Sequence, residues 1–129
     1  MKRGYRQLVE EAEAEITTLS VKEAMALLGQ EDTVFVDLRD VREQAQQGKM
    51  PGAFHAPRGL LEFWVDPESP YHHDFFAQSK RFVFFCNEGW RSALATKAVQ
   101  DMGLENVAHI AGGFTAWQAA GGPLDLSGL

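Results

Sequence analysis

Two short runs are almost wholly apolar: Thr33-Val34-Phe35-Val36-Asp37-Leu38 and Arg81-Phe82-Val83-Phe84-Phe85. Rich in β-branched and aromatic residues and without polar alternation, they predict strands buried on both faces of a parallel sheet. Shorter strand patterns occur at Ile16–Leu19, Ala53–Ala56 and Asn106–Ile110. Between them the spacing turns helical. Tyr5, Leu8, Val9 and Ala12 form an apolar stripe within residues 1–15, and Leu94, Ala95, Ala98, Val99 and Met102 form another after Arg91, stopped by Gly103. Ser20 stands three residues before Glu23, which predicts a capping box and a helix through Leu28. Asp40 is placed to cap a short helix ending near Gly48, and a last helix runs through Trp117. Strands alternating with helices predict an α/β fold with a mostly parallel sheet.

The organisation expected from this pattern is an N-terminal helical extension (1–15), one α/β domain (16–123) and a loose C-terminal tail (124–129). The longest irregular stretch, Leu60 to Lys80, holds Phe63, Trp64, Tyr71, Phe75 and Phe76. A loop of that length in a small domain is often functional, and Trp64 is expected to fold over the active loop. The adjacent His72 and His73 point in different directions in an extended chain and suit a surface role better than a shared metal. His55 and His109 fall in or beside strands and read as satisfied core or edge histidines.

Composition narrows the functional classes. With 129 residues, 45% of them hydrophobic and 23% charged, the chain has the make-up of one ordinary globular domain. A net charge of −6 leaves no basic footprint for a phosphate backbone, so no nucleic-acid partner is expected. No segment is apolar enough to span a bilayer or to act as a secretory leader, which makes the cytoplasm the expected location. The single cysteine, Cys86, cannot form an internal disulfide or a cysteine zinc site. It is either a buried small hydrophobe or a reactive thiol.

The surrounding residues favour the second reading. In Phe84-Phe85-Cys86-Asn87-Glu88-Gly89-Trp90-Arg91-Ser92 a buried strand delivers the cysteine into a short loop that runs into a helix. Ligands of open α/β sheets bind at such carboxyl ends. Successive backbone N–H groups and the helix N-terminus together make a nest that favours a sulfur anion. Gly89 permits unusual backbone angles, Arg91 can bind the loop's carbonyls and add positive charge, and Ser92 can cap the helix.

The pattern Cys86-x-x-Gly89-x-Arg91-Ser92 resembles the active-site loop of the rhodanese family. Three further segments are similar in the same order: Val36-Asp37-Leu38-Arg39 with Glu43, Gly48-Lys49-Met50-Pro51-Gly52-Ala53, and Gly112-Gly113-Phe114 with Trp117 and Gly121. The resemblance covers about Ile16 to Pro123. It implies a doubly wound, mostly parallel sheet flanked by helices on both faces, and a sulfurtransferase that moves sulfane sulfur through a Cys86 persulfide. The implied partners are a small sulfur donor of thiosulfate or persulfide type and a thiol or cyanide-like acceptor. No cofactor or metal is implied.

Cys86 and Arg91 are the catalytic residues so implied, with Asn87, Glu88, Gly89, Trp90 and Ser92 lining the loop and Asp37 and Arg39 supporting it. The chain departs from the family at Lys49, where histidine is frequent, at Glu88, which repels anionic donors, and at the bulky Trp90. Two competing functions are a catalytically silent binding or sensing module and a cysteine-dependent phosphatase or arsenate reductase. Loops of that last class hold one residue more between cysteine and arginine than the four found here.

Overall fold

The structure, a computed structural model, describes residues 1–128. Its centre is a five-stranded sheet of β1 (Thr17–Leu19), β2 (Thr33–Asp37), β3 (Phe54–His55), β4 (Arg81–Phe85) and β5 (Val107–Ile110). The order is β1-β5-β4-β2-β3, with every pairing parallel. From Phe82 to Phe85 the central strand is at most 1% exposed on either face, as its unbroken apolar run requires. Burying each such side chain contributes about 1.5–3 kcal/mol. The sheet therefore anchors the residue that follows it.

The helices are α1 (Tyr5–Glu13), α2 (Val21–Leu27), α3 (Val41–Gln47), α4 (Leu61–Val65), α5 (Trp90–Asp101) and α6 (Gly113–Ala119). The expected capping box of Ser20 with Glu23 forms at α2, and Asp40 caps α3 as expected, in a second capping box completed by Glu43. One core, with Val36, Phe82, Phe84, Leu61, Ala95 and Val99, packs α4 and α5 on one face. The other packs Phe35, Val83, Phe85, Phe114 and Trp117 under α2 and α6. The sheet is doubly wound. No helix among the described residues is long and apolar enough to cross a membrane.

The structure corrects the sequence reading of the 60–80 stretch, of Trp64 and of the C-terminal tail. The 60–80 stretch is not structureless. A 3-10 turn (Arg58–Leu60) leads into it, it contains α4 and a second 3-10 turn (Asp74–Ala77), and Phe75 stacks on Phe54 at 3.8 Å between ring centroids. Trp64 packs edge-on against Phe54 and beside His73, in the α5-side core, and its ring is spent there instead of covering the Cys86 loop. The segment after Gly121 is tied down as far as Asp125. Trp117 Nε1 donates to the carbonyl of Pro123 at 2.8 Å, and Lys49 and Asp125 exchange backbone hydrogen bonds at 2.7 and 2.9 Å. Leu129 lies outside the described residues.

The α1 stripe also divides. Val9 and Ala12 are buried against Ala93 and Leu94 of α5, while Leu8 is exposed and Tyr5 meets Trp90, 5.0 Å between centroids. Because α1 covers its outer side, α5 is buried at Ser92 and Ala93 as well as at Ala95, Thr96 and Val99. Met102, expected on the apolar stripe, is exposed.

Candidate active site

The chain leaves β2 toward β3 on one side and β4 toward β5 on the other, so the carboxyl ends of β2 and β4 flank the point where the connections diverge. Cys86 lies there, 1% exposed, one residue past β4. Crevices at such switch points are where α/β sheets place ligands.

The loop's peptide groups are sorted by direction. The carbonyls of Cys86 and Asn87 accept from the N–H groups of Phe114 and Thr115 at the start of α6, at 2.7 and 3.1 Å. With those oxygens held outward, N–H groups farther along the loop turn inward. Gly89 N and Ser92 N donate to Cys86 Sγ at 3.2 and 3.4 Å. The expected nest is thus made by two amides at the N-terminus of α5. Gly89 is the N-cap of α5 at φ +94°, in the left-handed region that glycine adopts without strain. Gly113 permits the loop to press on α6. A β carbon there would stand 2.6 Å from the Asn87 carbonyl oxygen and closer still to that of Cys86.

Ser92 does not cap the helix. It lies inside α5, fully buried, with its hydroxyl 3.6 Å from Cys86 Sγ and 2.9 Å from His109 Nδ1. Nε2 of that imidazole is 3.1 Å from Thr18 Oγ1 and 3.9 Å from a Glu13 carboxylate oxygen. Burial pushes His109 down to about 4, so the ring is neutral.

Arg91 does not bind the loop carbonyls either. Its guanidinium donates through two nitrogens to the two oxygens of Glu43, at 2.8 and 3.0 Å. This pairing holds the Glu43 carboxyl below its ordinary range. Glu43 also accepts from Asn87 Nδ2 at 3.3 Å, which connects α3 to the cysteine loop. The Arg91 guanidinium is raised, first by Glu43 and in smaller part by the fields of Cys86 and Glu88.

Asp37 and Arg39 form a buried ion pair at 2.9 Å, and Asp37 also accepts from Gln44 at 3.0 Å. Arg39 donates further to the Gly48 carbonyl at 2.9 Å and to Asn87 Oδ1 at 3.5 Å, with its guanidinium carbon 4.0 Å from the Phe114 ring centre. Buried charges persist only when so satisfied. The pair braces β2, α3, α6 and the loop against one another. Glu88 and Trp90 are exposed, Trp90 against Tyr5 of α1.

Among the histidines, His55 Nε2 lies 2.6 Å from the Arg39 carbonyl oxygen, His72 stands near Asp74, and His73 packs among the aromatics. His109 has a place beside the cysteine that its sequence position does not announce. The only hint is its fall in the strand neighbouring that of Cys86.

The chain is similar to known proteins over most of its length. Residues 20–120 match the model of the rhodanese-like domain. The chain is 31% identical over 104 residues to the mouse thiosulfate sulfurtransferase/rhodanese-like domain-containing protein 3, covering 77% of this chain and 66% of that protein. It is 31% identical over 103 residues to the thiosulfate sulfurtransferase GlpE of Pseudoalteromonas translucida, covering 79% and 89%. A solved structure from Rhodopseudomonas palustris CGA009, described as a protein of unknown function and possible tyrosine phosphatase, superposes with a TM-score of 0.94 at 52% identity, covering 97% of this chain and 96% of that one. On the family match and these likenesses, the chain belongs to the rhodanese-like sulfurtransferase family.

Proposed function

We propose that this protein moves sulfane sulfur from a small donor to a nucleophilic acceptor through a persulfide on Cys86. The observation that carries the reading is the pair of amides, Gly89 N and Ser92 N, directed at Sγ from the start of α5. They favour a sulfur anion in both halves of the cycle. In the first half the Cys86 thiolate attacks the outer sulfur of thiosulfate or of a persulfide-type donor. A new S–S bond forms, the donor's S–S bond breaks, and its electron pair leaves with sulfite or with the shortened donor. In the second half a thiolate or cyanide attacks the terminal sulfur, and Cys86 departs as the thiolate.

Phosphoryl transfer fits the loop less well. Phosphate needs several donors around three oxygens, with a cation among them. Here the loop spans four residues between Cys86 and Arg91, and that arginine is engaged by Glu43. The deciding test is turnover with thiosulfate or polysulfide and cyanide, run beside a phosphatase assay on an aryl phosphate. The reading expects sulfur transfer in wild type, none in Cys86→Ser, and no phosphate release. Persulfide formation without turnover would instead favour a sensing module, and phosphate release would overturn the proposal.

A further inference from the structure

A continuous hydrogen-bonded chain leads away from the sulfur through the side chain of Ser92. Cys86 Sγ, Ser92 Oγ, His109 Nδ1, His109 Nε2 and Thr18 Oγ1 follow one another at 3.6 Å, 2.9 Å and, beyond the ring, 3.1 Å. Ser92 and His109 are buried, and Thr18 is exposed. Glu13 of α1 is the charged group that approaches the imidazole, while Arg91 is the cation whose field is felt at Cys86, with Glu88 near it.

A neutral imidazole has one donor and one acceptor, so the chain has two consistent directions. With Cys86 as a thiol, S–H donates to Ser92, the serine hydroxyl donates to Nδ1, and Nε2–H donates to Thr18. With the sulfur an anion, Thr18 donates to Nε2, Nδ1–H donates to Ser92, and the serine hydroxyl donates to sulfur. Moving each proton one step outward converts the first arrangement into the second. The thiol proton passes to Ser92, the serine proton to Nδ1, the Nε2 proton to Thr18 and the threonine proton to water. One proton is lost, no electrons change hands, and every hydrogen bond survives.

We propose that His109 is a positioning residue for the sulfur chemistry, acting through Ser92 by turning its hydroxyl toward Cys86 when the sulfur is an anion and away when it is a thiol. The proposal rests on the sulfurtransferase reading of Cys86 but concerns a residue that reading does not use. Neutrality of the ring, imposed by burial, is what allows both directions.

The test is the rate of Cys86 alkylation by iodoacetamide against pH, which needs no sulfur donor and so stays informative even if sulfur transfer fails. In His109→Leu the midpoint of the profile should rise by about one pH unit, which slows reaction about tenfold below the midpoint and leaves it near wild type above. His109→Gln, whose amide can still donate to Ser92, should recover most of the loss. Ser92→Ala should behave as His109→Leu, and the double variant should be no worse than Ser92→Ala alone. Thr18→Val, at the exposed end, should shift the midpoint in the same direction by about a third as much on the same grounds, and it keeps the test open if His109→Leu fails to fold. A wild-type profile in His109→Leu or in Thr18→Val, or additive effects of Ser92→Ala and His109→Leu, would overturn the proposal.

Discussion

Both oxygens of the Glu43 carboxylate are held by Arg91, one by each terminal guanidinium nitrogen. Since Glu43 also reaches Asn87, Arg91 acts as a brace between α3 and the cysteine loop. Arg91→Ala should lower kcat/KM for sulfur transfer about tenfold, equivalent to about 1.4 kcal/mol. Arg91→Lys should not restore it, because one ammonium cannot bridge two oxygens in this geometry. Glu43→Gln should show a similar fall with unchanged Cys86 chemistry at high pH. Steady-state kinetics on the three variants check this, and full activity in Arg91→Lys would refute the bidentate brace.

Gly113 is where the loop and α6 touch. Its φ of +58° and the approach of the Cys86 and Asn87 carbonyls leave no room for a side chain. Gly113→Ala should therefore cost about 2–4 kcal/mol of stability and remove most activity, since the peptides that aim Gly89 N and Ser92 N must shift. Urea unfolding measures the first effect and the turnover assay the second.

Acid should weaken the fold through His109. The imidazole takes a proton near its ordinary value when unfolded but only at about 4 when folded, so between these values the unfolded state binds more protons. Stability is complete above about pH 6.5 and falls as pH drops toward 4, by about 3 kcal/mol in total. Glu43, whose carboxyl is lowered by Arg91, adds a further loss as pH falls through the carboxylate range. Urea unfolding against pH should show the slope above pH 5 in wild type and lose it in His109→Gln.

Glu88 is exposed beside the loop, so solvent screens its repulsion of anionic donors. Glu88→Ala should raise kcat/KM for thiosulfate by about threefold at low ionic strength, with the gain shrinking as salt is added. A less charged persulfide donor should respond less. Equal responses of the two donors, or no dependence on salt, would remove the electrostatic explanation.

The strands and caps were legible because each follows from local chemistry: unbroken apolar runs at β2 and β4, and the Ser20–Glu23 box and Asp40 at the helix starts. Cys86 and Gly89 were legible because strand, loop and helix are consecutive in the chain. The partners of Arg91 and Ser92 were not. Glu43 lies 48 residues from Arg91 and His109 lies 17 from Ser92, and only the parallel pairing of β2, β4 and β5 brings them together. The 60–80 segment misled for a related reason. Its aromatic run, broken by Pro67 and Pro70, suggests an excursion, whereas Phe75 stacks on Phe54 of the edge strand, Trp64 meets it edge-on, and Leu61–Val65 forms a short helix against α5.

Sulfur transfer by the proposed route requires a covalent sulfur carried on Cys86. Wild-type protein and Cys86→Ser should be incubated with thiosulfate and, separately, with polysulfide, freed of excess donor and weighed intact by mass spectrometry. Wild type should gain the mass of one sulfur atom and lose it on adding cyanide with formation of thiocyanate, whereas Cys86→Ser should gain nothing while unfolding at nearly the wild-type temperature. No mass gain in folded wild type with either donor, or an equal gain in Cys86→Ser, would contradict the Cys86 persulfide.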